Sequence, residues 1–320
     1  MTGRVAAIDC GTNSIRLLIA EAGPHGRLDE VHRDLVIVRL GQGIDATGEF
    51  HPDALDRTFA AVDGFADQIG AAAVNRIRFV ATSAARDARN RSDFFAGIRH
   101  RLGVRPEVIS GDEEARLSFL GAVRGIPDAA EPVLVMDIGG GSTELIVGRV
   151  DAAGEPAISR AVSLDIGSVR VTERFWHSDP PDESQVGKAA DHIDRLLDLS
   201  DIEFDLVATW IGVAGTVTSM SAISQDLPGY DRSKVHGSRL AVEEVQSLAH
   251  RLRTTEVARL RELGSLHPQR ADVIGAGSLI ADRVSRRLDV EELVVSESDV
   301  LDGIAIGLLL DPRRSTHRRR

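Results

Sequence analysis

A single cysteine, Cys10, is present in the 320 residues. An internal disulfide is therefore excluded, and the count suits a reducing compartment. Cys10 sits between Asp9 and Gly11 at a strand end, where a small buried filler is the better reading than a reactive thiol. Long apolar runs are missing too, and nothing approaches the ~20 residues that a membrane-crossing helix needs. The first ten residues lead straight into a strand with no signal-peptide pattern. A cytoplasmic protein without membrane association is the expectation. Basic excess is also absent: the formal charge is −11. That argues against general nucleic-acid binding. The same field repels any polyanionic ligand, which would then need local arginines and a divalent cation. Only two of the 38 basic residues, Lys188 and Lys234, are lysine. Arginine binds phosphate bidentately, although coding bias explains the surface arginines at least as well. None of the ten histidines has metal-ligand spacing with another, and no Ser-His-Asp arrangement is readable, so a covalent mechanism is not suggested.

What the chain does contain is a glycine-rich stretch, Asp137-Ile138-Gly139-Gly140-Gly141-Ser142-Thr143-Glu144, between two apolar runs. It reads as strand, tight turn, strand. Consecutive glycines clear side chains from a turn and aim successive backbone N–H groups at one point, a nest suited to a phosphate oxygen. Ser142 and Thr143 add hydroxyls. Asp137 beside a phosphate makes sense if a divalent cation lies between the two anions. A plain glycine hairpin with a turn Asp is the competing reading, and it weakens because the pattern recurs. Asp9, Gly11, Ser14 and Leu17 align with Asp137, Gly139, Ser142 and Leu145 at a constant offset of 128. Two such units imply two similar halves, with a ligand held between a turn from each. The phosphate-binding candidates are Gly11, Thr12, Asn13 and Ser14 from one turn and Gly139, Gly140, Gly141, Ser142 and Thr143 from the other.

Strands are expected at 4–9, 14–22 and 28–40, then a helix from Pro52 with Leu55, Phe59, Val62, Phe65 and Ile69 on one face. Strand 76–80 runs into Ala81-Thr82-Ser83 and a helical segment carrying Arg86, where a helix start favours an anion; a capped helix with a surface arginine is the alternative. Ser110-Gly111-Asp112-Glu113-Glu114-Ala115-Arg116 is a carboxylate-rich helix start, which dipole stabilisation alone could explain. It also supplies a candidate base for water. Glu113 and Glu114 point ~100° apart on a helix, so only one faces a site. The turn-rich segment 125–132 separates the halves. Strands 142–149 and 156–163 follow, then helices to about Trp176 and over 182–199, the latter with charges that read as solvated surface. Strand 206–211 leads into Gly212-Val213-Ala214-Gly215-Thr216, a second glycine turn before a helix; Gly215 and Thr216 are candidate phosphate or nucleotide contacts against a simple tight turn. A glycine-spaced helix runs from Arg270 to about 287, the last strand is 293–295, and an amphipathic helix spans 299–310. The tail, 311–320, carries five arginines and reads as solvated and disordered.

Four motifs in this order resemble the exopolyphosphatase/pppGpp phosphohydrolase (Ppx/GppA) family of the actin-like ATPase superfamily: Asp9-Cys10-Gly11-Thr12-Asn13-Ser14, Ala81-Thr82-Ser83-Ala84-Ala85-Arg86-Asp87, Ser110 to Arg116, and Asp137 to Glu144. The likeness runs from residue 3 to about 310 and is strongest to the short, two-domain actinobacterial exopolyphosphatases. It implies an α/β fold of two actin-like (ribonuclease H-like) domains, each a mixed five-stranded sheet flanked by helices, with the active site in a cleft between them. The domains would be 1–126 and 127–298, with helix 299–310 packing back on the first. The implied reaction is metal-dependent release of the terminal phosphate of inorganic polyphosphate. The resemblance assigns the water-activating role to Glu114, with Glu113 second, a substrate-gripping role to Arg86 and a transition-state role to Arg270, which could instead pair with Asp272. Mg²⁺ would sit near Asp137, with Asp9 and Glu144 as second candidates; Mn²⁺ and a monovalent cation are the other ions it admits, and a homodimer the assembly. The family often has Arg-Glu before the glycine of the last helix; Leu301-Asp302-Gly303 departs from that. Hydrolysis or binding of pppGpp or ppGpp is the alternative in the same class, and an actin-like kinase or ATPase the alternative in another.

Overall fold

The structure, a computed structural model, describes residues 3–23, 28–74, 76–151 and 156–310. The arginine-rich tail lies outside them. The chain divides into two compact units, Met1–Leu117 with Val300–Arg320, and Ser118–Asp299. The first unit opens with β1 (Val5–Cys10), β2 (Ser14–Ala22) and β3 (Leu28–Ile37). After them come α1 (Ile44–Thr47), α2 (Pro52–Ala71), β4 (Arg76–Ala81), α3 (Ser83–Asp87), α4 (Arg91–Leu102) and β5 (Glu107–Val108). Helix α5 (Gly111–Gly125) contains the unit boundary. The second unit continues with β6 (Val133–Ile138), β7 (Thr143–Val150), β8 (Pro156–Leu164), α6 (Ser168–Phe175) and α7 (Glu183–Asp198). Then come β9 (Thr209–Val213), α8 (Ala214–Ser224), α9 (Arg232–Val235), β10 (Arg239–Ala241), α10 (Val242–Thr254), α11 (Val257–Leu260), α12 (Ile274–Ser285) and β11 (Glu292–Val295). Helix α13 (Val300–Leu310) returns to the first unit.

The first sheet has the order β3-β2-β1-β4-β5, antiparallel between β1, β2 and β3 and parallel between β1, β4 and β5. Alternation along β1 explains its two covers. Ala6, Ile8 and Cys10 face a core with Val62, Phe65 and Ile69 of α2 and Phe94 and Ile98 of α4. Val5 and Ala7 face the opposite core, built with Leu301, Ile304, Ala305 and Leu308 of α13. Helix α2 starts where Pro52 sets φ and needs no N–H partner, and His51 Nδ1 caps it by accepting from the Asp53 amide at 3.2 Å. Within this core Phe94 packs against both Phe50 and Phe79.

The second sheet has six strands, β10-β11-β9-β6-β7-β8, where five were expected. The additional strand, β10, has three residues, of which only Leu240 is buried, too short for a periodic signal. Strand β9 also lies later than expected, at 209–213, because Phe204–Leu206 forms a 3-10 turn instead. Leu134, Met136 and Ile138 face the core built with α6, α7, α8, α10 and α12. Among the described residues no helix is long and apolar enough to cross a membrane.

Candidate active site

The candidate residues fall into two groups, one in each unit. In the first unit the β1–β2 turn is closed by the Gly11 amide, which donates to Ser14 O at 3.0 Å. Its carbonyls are engaged by the segment after β3: Thr12 O accepts from the Gly41 amide at 2.8 Å, and Asn13 O from the Val38 and Arg39 amides at 3.0 and 2.9 Å. In a trans peptide the N–H points opposite to the C=O. The Asn13 and Ser14 amides are therefore aimed away from that segment. No described group accepts from the Thr12 or Asn13 amide. The Thr12 hydroxyl is tied to Ser83 Oγ at 2.8 Å. Helix α3, which carries Arg86 in its last turn, is only five residues long.

Glu114, only 8% exposed, lies at the start of α5. Arg86 Nη1 donates to Glu114 Oε2 at 2.8 Å and to Ile109 O at 3.0 Å. Glu113 turns elsewhere, 3.5 Å from Arg78, which also pairs with Glu107 at 3.0 Å. The two adjacent carboxylates thus separate into one held by Arg86 and one anchored to a buried structural arginine. Asp9 accepts from Arg16 Nη2 and Nε at 2.6 and 3.1 Å through one oxygen. The pair is nearly buried, and Asp9 stands in register with Arg16 across β1–β2. Burial, and after it the Asp9 carboxylate, pushes the Cys10 thiol well up.

The second unit repeats the turn. The Gly139 amide donates to Ser142 O at 3.0 Å. Here the first turn of α6 engages the carbonyls: the Ser168 amide donates to Gly139 O at 2.9 Å, and the Val169 and Arg170 amides to Gly140 O at 2.9 and 3.0 Å. The Gly140 and Gly141 amides consequently point away from α6, and no described group accepts from them or from the Ser142 amide. Thr143 differs from expectation: its buried hydroxyl donates to Ile166 O. Asp137 stands in register with Glu144 across β6–β7, and Glu144 with Ser163 across β7–β8. Ser118 Oγ donates to Asp137 Oδ2, and Ser163 Oγ to Glu144 Oε1 at 2.7 Å. The offset of 128 that maps Asp9 onto Asp137 maps Arg16 onto Glu144. A carboxylate–guanidinium pair in one unit is a carboxylate–carboxylate pair in the other. Like charges directly opposed across strands destabilise a sheet, which makes these two carboxylates the candidate ligands for a cation. Two buried carboxylates plus hydroxyls form an all-oxygen donor set of the kind hard divalent cations take. Among the described residues no cluster of three or more His, Cys, Asp or Glu side chains is placed to hold a metal; any remaining ligands would be substrate oxygens and water.

Gly215 and Thr216 lie in the first turn of α8. A Cβ on Gly215 would lie 2.1 Å from Arg270 Nη1 and 2.4 Å from its Cζ, so the guanidinium occupies the space left by the missing side chain. Arg270 belongs to a 3-10 turn, Pro268–Arg270, ahead of α12 rather than inside the expected helix. Beside it, His267 is lowered by burial and then by the Arg270 charge. Tyr230 is raised by burial and then by Glu297, to which its hydroxyl donates. Asp302, at the departure from the family pattern, accepts from Arg33 at 2.8 Å. The charges of α7 are not all solvated surface: Asp194 accepts from Arg283 Nε and Arg287 Nη1, both at 2.9 Å.

Sequence reasoning missed two residues, Gly41 and Gly167. A Cβ on Gly167 would lie 2.4 Å from Gly140 C and O and 2.5 Å from Gly141 N; one on Gly41 would lie 2.2 Å from Thr12 Cγ2. The available signal was the repeated apolar–glycine pair, Leu40-Gly41 and Ile166-Gly167, following the third strand of each half.

A family model described as the Ppx/GppA phosphatase family matches residues 18–311. Exopolyphosphatase 2 of Mycobacterium tuberculosis is 44% identical over 319 residues, covering 95% of this chain and 98% of the relative. The crystal structure of an exopolyphosphatase-like protein aligns with a TM-score of 0.90 at 41% identity, covering 96% of this chain and 97% of the other. The Aquifex aeolicus member of the Ppx/GppA family aligns with a TM-score of 0.81 at 29% identity, over 97% and 98% of the two chains.

Proposed function

We propose that this chain, which belongs to the Ppx/GppA phosphatase family, is an exopolyphosphatase releasing phosphate from the end of inorganic polyphosphate. The observation that carries this reading is the nearly buried Glu114 held by Arg86 at 2.8 Å while its neighbour Glu113 is turned onto Arg78. Phosphoanhydride hydrolysis needs a group to align water opposite the leaving phosphate and take its proton. Glu114 has that role, as the ionised carboxylate. Among the described residues Arg86 uses only Nη1, on Glu114 and Ile109, so Nε and Nη2 are proposed for phosphate oxygens, which a planar guanidinium grips in pairs. The amides of Asn13 and Ser14 in one turn, and of Gly140 and Gly141 in the other, donate to phosphate oxygens and offset their charge. Arg270 adds a fixed positive charge beside Gly215.

Exopolyphosphatases of this family are generally metal-dependent. Asp137 and Glu144 are the residues that would hold the cation, and Mg²⁺ is the ion proposed. When bound it would neutralise phosphate charge and polarise the bond to be broken. Asp9, paired with Arg16, has its charge already compensated and is not among the proposed ligands. A reducing cytoplasm is the proposed setting.

The test is Glu114→Gln, with phosphate release from polyphosphate and substrate affinity measured side by side. Turnover falls by about 10²–10⁴ while affinity is retained. Near-normal turnover removes Glu114 from the mechanism. The same assay on pppGpp decides the substrate: faster release from pppGpp than from polyphosphate reverses the assignment. Acceptor-dependent ADP formation would point to a kinase.

A further inference from the structure

We infer that Gly41 and Gly167 are paired positioning residues, one per unit, that fix the direction of the phosphate-facing amides. The inference rests on the reading of the two glycine turns as phosphate contacts. Each glycine follows the third strand of its unit and lies against the turn at equivalent places. Gly41 N–H donates to Thr12 O, and the residues after Gly167 donate to Gly139 O and Gly140 O. Thr12 and Gly140 are equivalent under the offset of 128, so the same peptide group is anchored in both units. Once its carbonyl is anchored, its N–H is committed to the opposite side, which is the Asn13 amide in one turn and the Gly141 amide in the other. No left-handed φ is involved at either glycine; what matters is close approach.

The obstruction differs between the units, and that difference makes the inference testable. At Gly167 an added methyl meets only backbone, Gly140 C and O at 2.4 Å and Gly141 N at 2.5 Å. It must displace the turn. At Gly41 an added methyl meets a side-chain methyl, Thr12 Cγ2, at 2.2 Å, with Thr12 Cβ next at 3.2 Å. Thr12 cannot simply rotate away, because its hydroxyl is tied to Ser83. Serine at position 12 would keep that hydroxyl and remove the methyl. The Gly41→Ala defect is therefore relievable by Thr12→Ser, and the Gly167→Ala defect is not relievable by trimming any one side chain.

The experiment compares Gly41→Ala, Gly167→Ala and the double variant Gly41→Ala/Thr12→Ser with Gly264→Ala. In the last, the new methyl would meet Pro228 O at 2.2 Å, a backbone clash that does not touch the turns. KM and kcat for phosphate release, the affinity for inorganic phosphate by calorimetry, and Tm are read for each. The two single variants should weaken phosphate affinity and raise KM by about tenfold or more, as displaced binding groups do. The double variant should recover affinity. Gly264→Ala should lower Tm while leaving phosphate affinity and KM unchanged. Unchanged phosphate affinity in a folded Gly41→Ala, or no recovery in a folded double variant, overturns the inference. Should wild type bind phosphate but release none from polyphosphate, the exopolyphosphatase reading fails, while the calorimetric comparison still decides the roles of Gly41 and Gly167.

Discussion

Adding and removing divalent cation should reveal the opposed carboxylates Asp137 and Glu144 as a change in stability that a single substitution nearly abolishes. The two stand in register on β6 and β7, both almost wholly buried. Directly opposed residues have Cβ atoms about 5 Å apart, and at an effective dielectric of about 20 two unit charges at that distance repel by ~3 kcal/mol. A cation that binds the folded protein alone stabilises it by RT ln(1 + [L]/Kd), about 2.7 kcal/mol at a hundredfold excess over Kd. At ~2–4 °C per kcal/mol for a unit of this size, wild type should melt about 5–10 °C higher in saturating Mg²⁺ than in EDTA. Asp137→Asn keeps an oxygen to accept from Ser118 but removes one of the opposed charges. In EDTA it should melt no lower than wild type, and the gain from Mg²⁺ should nearly vanish. Asp9→Asn is the contrast, because Asp9 is neutralised by Arg16 at 2.6 Å. That variant should lose about 3 kcal/mol, as breaking a buried pair does, and should keep the full gain from Mg²⁺. Scanning calorimetry of the three proteins with Mg²⁺ and with EDTA is the assay. A wild-type Tm indifferent to Mg²⁺, or an Asp137→Asn protein with the full increment, refutes the reasoning.

Further expectations concern residues outside that pair. Glu113→Gln should leave kcat near wild type and cost about 1 kcal/mol in a denaturant melt, since Glu113 is turned onto Arg78 at 3.5 Å rather than onto Arg86; a kcat loss as large as that of Glu114→Gln would contradict the division of roles. Burial raises the Asp194 carboxyl, but hydrogen bonds and charge from Arg283 and Arg287 outweigh it, so its folded value lies below 3.8. Its contribution is thus complete above that pH and is lost as pH falls through the folded value: Asp194→Asn should cost about 2 kcal/mol at pH 7 and progressively less below pH 3.8, read from acid-dependent melts. Cys10, raised by burial and then by Asp9, should react with a thiol reagent at pH 8 only on unfolding; rapid modification of the native protein would contradict its buried position.

The repeated Asp-x-Gly turn was legible because its signal is local: residue types at fixed spacing, twice, at one offset. The strands around it were legible for the same reason, since β1 and β6 are continuous runs of buried, mostly apolar residues leading into the turn. What escaped reading depended on contacts between distant segments. β10 is three residues long and exists because it adds to β11. The pairing of Arg16 with Asp9 was hidden in a strand that otherwise reads as apolar, although the offset of 128 already placed a glutamate at the equivalent position. Spacing could separate Glu113 from Glu114 by angle but not say which faced Arg86; that required Arg78 and Glu107, which lie on β4 and β5. Gly41 and Gly167 look like ordinary loop glycines in isolation, and their constraint appears only when the turn they touch is present. The two halves therefore share a backbone device and differ in charge at one position. Asp9 pairs with Arg16 across one hairpin, whereas Asp137 faces Glu144 across the other, and it is this difference in charge that the Mg²⁺ and EDTA melts of the two asparagine variants test.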